Sequence, residues 1–140
     1  MPAAAGKDLG NRRVTEQEVY RFIYDKIDTV PHLEALLQLW VSRPKTWTAD
    51  ELAHRLFVSS DMLQTIMDDL ARQQLAVIRH EKQQVWYAYQ SSAPAIDELV
   101  EAVADTYRQQ LVRVTRLIHG KSTSGAWGFG EAFRFKPRND

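Results

Sequence analysis

The stretch LFVSSDMLQTIMDDLARQQLAV, from Leu56 to Val77, carries the pattern that decides the fold. Its apolar residues recur at spacings of three and four, which predicts a helix with one buried face. That face comprises Leu63, Ile66, Met67 and Leu70. Ser59 or Ser60 can accept a hydrogen bond from an amide of the first turn and so cap the helix. The helical spacing stops after Gln74, and the helix is therefore predicted over 60–73.

Two strand-like runs follow this helix, LAVIR and VWYAY, with the polar HEKQQ between them. Their β-branched and aromatic content, together with the short connection, is typical of a β-hairpin. The sequence thus predicts a hairpin over 75–89.

Three helical patterns precede the quoted stretch. TEQE, beginning at Thr15, fits a capping box at the start of the first helix. Pro31 suits the first turn of the second helix, where its missing N–H costs nothing. Thr48, with a glutamate three residues later, can cap the third helix after a short extended bridge. The predicted spans are 16–28, 31–42 and 49–57. Residues 1–13 show no periodicity and are expected to be disordered.

A long helical pattern opens at Pro94 and is predicted as a single helix over 94–119. Its apolar stripe consists of Ile96, Val100, Val103, Tyr107, Leu111, Val114 and Ile118. Such a helix would be roughly 39 Å long, whereas a compact core of this size is about 30 Å across. One end should therefore project and meet a second copy of the chain. The alternative is a helix folded back on the first helix of its own chain.

The last segment, residues 121–140, begins as a Gly/Ser linker and is expected to be a flexible tail. It then carries aromatic and basic side chains, namely Trp127, Phe129, Phe133, Arg134, Phe135, Lys136 and Arg138. Because exposed aromatics are costly in water, we expect this segment to dock. Its own domain, a dimer mate, another protein or a nucleic acid could receive it.

The bulk composition restricts the class of protein. A chain of 140 residues suits one core, and the absence of cysteine removes disulfides, thiol nucleophiles and the usual zinc ligands. No segment resembles a signal peptide or a membrane span, so the sequence predicts a cytoplasmic protein that does not contact membranes. The net charge is zero, yet residues 61–105 are acidic and residues 106–140 are basic.

The segment from Leu33 to Tyr89 resembles bacterial winged-helix transcriptional regulators of the MarR and PadR kinds. The resemblance is carried by WTADELAHRLFVSSDMLQTIMDDLARQQLAVI, the wing RHEKQQ and the return strand VWYAY. It implies a mainly α fold with a small β-hairpin, in which a winged helix-turn-helix is flanked by an N-terminal helix and a long C-terminal helix. The winged-helix domain with its leading helix would span 14–90, and the C-terminal helix would span 91–120. The N-terminal helix is more MarR-like and the C-terminal helix more PadR-like.

The resemblance also implies binding to double-stranded DNA and a role in transcription regulation. The helix over 60–73 would then enter the major groove. The implied DNA-binding residues are Ser59, Ser60, Asp61, Gln64 and Thr65 on or beside the helix, and Arg79, His80 and Lys82 on the wing. Gln64 suits adenine.

Three aspartates stand against this function, because phosphate repels them. They are Asp61, Asp68 and Asp69, against Arg72 alone on the same helix. We expect the helix to discriminate bases while its charge is supplied by Arg12, Arg13, Lys45, Arg55, the wing or a second subunit. Binding should then be weak and strongly salt-dependent. Alternatively, Asp68 and Asp69 lie on the solvent or subunit side of the helix, beyond the residues that would face the bases, and Asp61 lies in the first turn, where the helix dipole favours it.

The C-terminal stripe is the predicted homodimer interface, comprising Val100, Val103, Tyr107, Leu111, Val114 and Ile118. An alternative function is a winged-helix adaptor that binds a protein partner instead of DNA.

Other chemistry is not indicated by the sequence. The four histidines, His32, His54, His80 and His119, fall on separate elements without HxH or HExxH spacing, so we expect surface or interface histidines and no metal. No G-x-S-x-G, P-loop or Rossmann fingerprint is present. We therefore expect neither a cofactor nor an enzymatic activity.

Overall fold

The computed structural model describes the chain from residue 14 to residue 126, with side chains described as far as 121. This part is mainly helical and carries one small antiparallel sheet. Its elements in chain order are α1 (Glu16–Lys26), α2 (Val30–Val41), β1 (Trp47–Thr48), α3 (Ala49–Leu56), α4 (Ser60–Arg72), β2 (Ala76–Glu81), β3 (Gln84–Tyr89), α5 (Pro94–Gln109) and α6 (Leu111–Ala126). Residues 1–13, which the sequence predicts to be disordered, lie outside the described residues.

The predicted hairpin is confirmed, and it joins a third strand. The strand order is β1-β3-β2, and β2 pairs with β3 from Ala76 opposite Tyr89 to Glu81 opposite Gln84. The two residues of the connecting turn, Lys82 and Gln83, have φ values of 53° and 64°. Positive φ at both positions is the geometry of a type I′ turn, whose twist matches that of the paired strands. The short extended bridge before α3 becomes β1, which pairs with β3.

The predicted helix starts are confirmed by their caps. Thr15 accepts from the Glu18 amide at 3.1 Å, and the Glu18 carboxylate accepts from the Thr15 amide at 2.9 Å. Thr48 forms the same capping box in front of α3. Ser59, rather than Ser60, caps α4 by accepting from the Met62 amide at 3.1 Å. These pairs satisfy amides that would otherwise lack a partner in the first turn.

Left-handed residues end α3 and α4. Phe57 has a φ of 59°, and the amide of Val58 then donates to the carbonyl of Ala53 at 3.1 Å. Gln74 has a φ of 64°, and the amide of Leu75 donates to the carbonyl of Leu70 at 2.9 Å. Both are Schellman motifs, which stop a helix and redirect the chain. They place α4 across α2 and α3 and lead it directly into β2.

A single core lies between α4, the sheet and the surrounding helices. The largest fully buried side chains are Ile23, Ile27, Leu33, Leu36, Leu39, Leu52, Leu63, Ile66, Met67, Leu70, Leu75 and Ile118. The predicted buried face of α4 is therefore confirmed in full. The arrangement is that of a winged helix-turn-helix with flanking helices, as the sequence predicts.

The single long helix over 94–119 is wrong, because the chain forms two helices there. Gln110 leaves the helical region, with φ −133° and ψ 52°, and α5 and α6 both pack against α1. Arg113 pairs with Glu16 at 3.5 Å across this contact, and Lys121 Nζ donates to the carbonyl of Ile27 at 2.8 Å. The alternative of a helix folded back on its own chain therefore holds. The helix also continues through 121–126, which the sequence assigned to the flexible tail, while residues 127–140 lie outside the described residues.

Between residues 14 and 126, no helix combines the length and the apolar character that a membrane crossing requires.

Candidate nucleic-acid interface

The N-terminal half of α4 presents a polar surface on the side opposite the core. Ser60, Asp61, Gln64 and Thr65 are all exposed, as is the capping residue Ser59. Amide and hydroxyl groups of this kind can donate to and accept from the edges of bases. The helix N-terminus adds a partial positive charge at the same place. The structure thus brings five of the predicted DNA-binding residues to one exposed helix end.

The other three predicted DNA-binding residues lie on the hairpin and are also exposed. Arg79 is opposite Trp86 and His80 is opposite Val85 in the β2–β3 pairing, while Lys82 is in the turn. Because successive strand residues point to opposite faces, Arg79 and His80 belong to different faces of the hairpin. Of the two cationic residues, Arg79 lies in strand β2 and Lys82 lies in the turn at the end of the hairpin.

The three aspartates of α4 do not lie on one face. Asp69 is turned inward, with its side chain 22% exposed, and its Oδ2 atom is 2.8 Å from Nε2 of His32. Its other oxygen pairs with Arg72. Asp69 therefore does not lie on the exposed face of α4. Its charge is thus compensated inside the protein.

Asp68 behaves differently from its neighbour. It is exposed, and it follows Asp61 by seven residues, which is about two helical turns, so both lie on the same face. Asp68 therefore lies on the exposed face of α4, about two turns farther from the N-terminus than Asp61. Burial, and to a smaller degree the Asp68 carboxylate, raise the pKa of Tyr87 in β3. The exposed face of α4 therefore carries two negative charges, those of Asp61 and Asp68.

His32 is the buried partner that sequence reasoning missed, since it was expected at a surface or an interface. It is 6% exposed, and its Nδ1 atom lies 2.6 Å from the hydroxyl of Thr29. Both ring nitrogens therefore have a partner. Burial lowers the pKa of His32, an effect that the nearby Asp28 opposes. Because its two partners are three and 37 positions away, the histidine spacing in the sequence could not indicate the cluster.

The cations expected to supply charge from other elements are partly engaged. Arg55 donates to Gln38 at 3.3 Å. Lys45 is exposed and lies 4.7 Å from the ring centre of Trp47, beside the sheet. Arg12 and Arg13 lie outside the described residues. Within the described residues, Arg55 is thus engaged by a hydrogen bond and Lys45 by an aromatic ring.

Most of the predicted dimer stripe is buried within its own chain. Val100, Val103, Val114 and Ile118 are at most 1% exposed. These four side chains are covered within the subunit, because α5 and α6 both pack against α1. Two members of the stripe differ. The Tyr107 hydroxyl donates to Glu34 at 3.2 Å, and Leu111 remains 52% exposed.

A different apolar surface is open to solvent. Phe57 is 92% exposed, Val41 is 68% exposed and Leu111 is 52% exposed. They line one groove of about 690 Å³ between α2, the α3–α4 turn and the junction of α5 with α6. We name these three residues the Phe57 face. The left-handed backbone of Phe57 costs about 1–2 kcal/mol for a residue with a Cβ, so this phenylalanine is both strained and exposed. Sequence reasoning missed it because its pattern described only the buried side of each helix.

Comparison with known proteins supports the same fold. No protein-family model matches the chain, and no curated protein matches it in sequence. Among solved structures, the complex of MepR from Staphylococcus aureus with DNA has a TM-score of 0.53 at 12% identity, over 85% of this chain and 91% of that chain. A second structure, of MepR as a transcription regulator of the S. aureus multidrug efflux pump MepA, has a TM-score of 0.51 at 15% identity, over 84% of this chain and 89% of that chain. Reduced HlyU from Vibrio cholerae has a TM-score of 0.50 at 21% identity, over 67% and 90%. At these identities the likeness shows the winged-helix fold.

Proposed function

We propose that the protein is a winged-helix DNA-binding protein that regulates transcription as a homodimer. The observation that carries the proposal is the joint exposure of polar residues on α4 and cationic residues on the adjoining hairpin. The likeness to MepR, which was solved in complex with DNA, supports it at the level of the fold.

The exposed end of α4 is the part that reads sequence in this proposal. A major groove about 12 Å wide admits a helix, and the Ser59 cap keeps the first turn of α4 intact at its tip. Gln64 has an amide that can pair with both the donor and the acceptor of adenine. Ser60 and Thr65 are suited to phosphate or to a thymine methyl group. The inward rotation of Asp69 removes one of three repulsive charges from this face.

The hairpin supplies affinity in this proposal. Arg79 and Lys82 are exposed cations next to a helix whose open face carries Asp61 and Asp68. Phosphate neutralisation provides most of the non-specific affinity of DNA-binding proteins. With few cations opposed by two carboxylates, binding should be weak and should fall steeply as salt is raised.

The Phe57 face is the proposed homodimer contact, in place of the C-terminal stripe. Its three apolar side chains are more than half exposed, and contiguous apolar surface of this kind marks an interaction site. Strain at Phe57 is consistent with a residue retained for an intermolecular contact. A dimer would link two copies of α4, which raises affinity for paired half-sites by effective concentration.

The decisive experiment is duplex binding by the full chain, measured by fluorescence anisotropy from low to physiological salt. The duplexes should include the region upstream of the protein's own gene and a scrambled sequence of the same composition. We expect salt-dependent binding to both, with a preference for one sequence that Gln64→Ala reduces while overall affinity changes little. Absence of binding at low salt would contradict the proposal. The adaptor function, which the Phe57 face also favours, would then be tested by capture of a protein partner that Phe57→Asn releases.

A further inference from the structure

We propose that Asp28, His32 and Asp69 form a binding site for a divalent transition-metal ion, with Zn²⁺ as the best-suited ion. Each residue offers one ligand atom, and these atoms lie within 4.8 Å of one another. Asp28 is in the connection between α1 and α2, His32 is in the first turn of α2, and Asp69 is near the end of α4. The site therefore joins three parts of the chain, with His32 buried, Asp69 half-buried and Asp28 exposed.

His32 is already oriented as a ligand. It is 6% exposed, and its Nε2 atom faces the Oδ2 atom of Asp69 at 2.8 Å. The Thr29 hydroxyl lies 2.6 Å from Nδ1 and also accepts from the His32 amide at 3.2 Å. In the metal-bound form, a second lone pair of that oxygen can accept a hydrogen bond from Nδ1, which leaves the lone pair of Nε2 for the metal. Metal-binding histidines are commonly held through their other nitrogen in this way.

The spacing of the ligand atoms suits a small ion after limited movement. Zinc bonds of roughly 2.0–2.2 Å in a tetrahedron place ligand atoms about 3.4 Å apart. The present contact of 2.8 Å between His32 and Asp69 would open slightly, and the more distant carboxylate would close. Asp28 can make that movement because its side chain is 62% exposed.

The neighbouring cations leave suitable oxygens for a metal. Arg72 pairs with Oδ1 of Asp69, whereas Oδ2 faces His32. Lys121 lies 3.6 Å from Oδ1 of Asp28. It also donates to the backbone carbonyls of Tyr24 and Ile27. Lys121 thus keeps two acceptors if Asp28 turns to a metal. On binding, the ion takes the place of the proton between Nε2 and Oδ2, and the neutral imidazole then carries its single proton on Nδ1, facing the Thr29 hydroxyl.

The ligand chemistry selects the class of ion. One imidazole and two carboxylates suit Zn²⁺ and its first-row neighbours better than Mg²⁺ or Ca²⁺, which prefer oxygen alone. The chain contains no cysteine that could compete for a soft ion. A bound ion would fix the end of α4 to the α1–α2 connection. A change in DNA affinity on metal binding would follow from this only through the proposed function, on which that one consequence rests.

The test is isothermal titration of the purified full chain with ZnCl₂ in a non-chelating buffer near neutral pH, without DNA. We expect one ion per chain, an affinity at least tenfold weaker in Asp28→Asn and in His32→Ala, and no change in His54→Ala, which removes an exposed histidine. Asp28→Asn is the variant to rely on if His32→Ala folds poorly. Unchanged affinity in Asp28→Asn, or no saturable binding by the wild type, would overturn the proposal. DNA binding is measured separately, so either outcome leaves the proposed function to its own test.

Discussion

The Nε2 atom of His32 lies 2.8 Å from the Oδ2 atom of Asp69, so a buried histidine of α2 holds the last turns of α4. Asp68, one residue earlier, is exposed. Adjacent residues on a helix are about 100° apart, which is why one carboxylate reaches the interior while the other stays in solvent. This division determines how much negative charge α4 presents to a partner.

The hairpin cations should supply the salt-dependent part of DNA binding. In Arg79→Ala with Lys82→Ala, affinity should fall on every duplex, and the slope of log K against log salt should shrink by about 1.8 if each cation neutralises one phosphate. Anisotropy at several salt concentrations measures both quantities. Arg116→Ala, which removes an exposed cation from α6, is the matched control. An equal loss in that control would point to net charge in place of the hairpin.

Asp68 should oppose DNA binding. Asp68→Asn removes an exposed charge with little change of shape, and affinity should rise about threefold on specific and scrambled duplexes, since exposed charge pairs contribute under about 1 kcal/mol. The gain should disappear at high salt. Asp25→Asn, on the exposed surface of α1, controls for net charge. If both variants gain equally, α4 does not face the DNA.

Phe57→Asn should separate subunit stability from association. Asparagine tolerates the left-handed backbone of this turn, so the free energy of unfolding of the monomer should rise by about 1 kcal/mol. Loss of a large apolar side chain should weaken the dimer at least tenfold. Light scattering measures association, and urea unfolding at low concentration measures the subunit.

Met62→Gln is the control for that variant, because it alters an exposed apolar residue of α4 outside the groove. A wild-type protein that remains monomeric at high micromolar concentration would refute the Phe57 face as a dimer contact. Retention of the dimer in Phe57→Asn would place the contact elsewhere.

The hairpin turn should be stabilised by glycine at position 83. Gln83 has a φ of 64°, a region that glycine occupies without strain. Gln83→Gly should therefore raise the free energy of unfolding by roughly 0.5–1 kcal/mol, reduced from the full strain by the greater freedom of glycine when unfolded. Gln84→Gly, in the adjoining strand, should lower stability instead. Equal effects at the two positions, measured by urea unfolding, would argue against a type I′ turn.

Tyr89 should make the protein sensitive to alkaline pH. Its hydroxyl donates to Asp97 at 2.7 Å, and burial, together with this hydrogen bond, raises the pKa of Tyr89 above its ordinary value. A raised pKa means that the folded state holds the proton more tightly than the unfolded state. The resulting stability is fully present below the unfolded pKa of about 10 and is lost as the pH rises through the folded pKa.

Urea unfolding between pH 8 and pH 11 measures this effect. Tyr89→Phe should lower stability at pH 8, because a hydrogen bond is lost, and should also flatten the fall above pH 10. An unchanged alkaline slope in the variant would assign the sensitivity to other tyrosines.

The sequence alone determined most of the winged helix. The periodicity of Leu63, Ile66, Met67 and Leu70 predicted the buried side of α4, and the caps at Thr15, Thr48 and Ser59 predicted where three helices begin. The change of period after Gln74 predicted the hairpin. These features depend on neighbours within a few residues, whose hydrogen bonds and side-chain faces follow from local geometry. The residues of α4 and the hairpin that lie outside these buried faces were then predicted to be exposed.

The tertiary structure decided the features that depend on distant contacts. The apolar stripe from Val100 to Ile118 predicted one helix, yet the chain leaves the helical conformation at Gln110, and packing on α1 buries most of the stripe within the subunit. The meeting of His32 with Asp69, and the exposure of Phe57 beside Leu111, likewise join residues far apart in the chain. A periodic pattern specifies that a face is apolar, but the surface that covers it is set by how whole helices pack. Charge, strain and exposure at the proposed sites are therefore properties of the packed molecule.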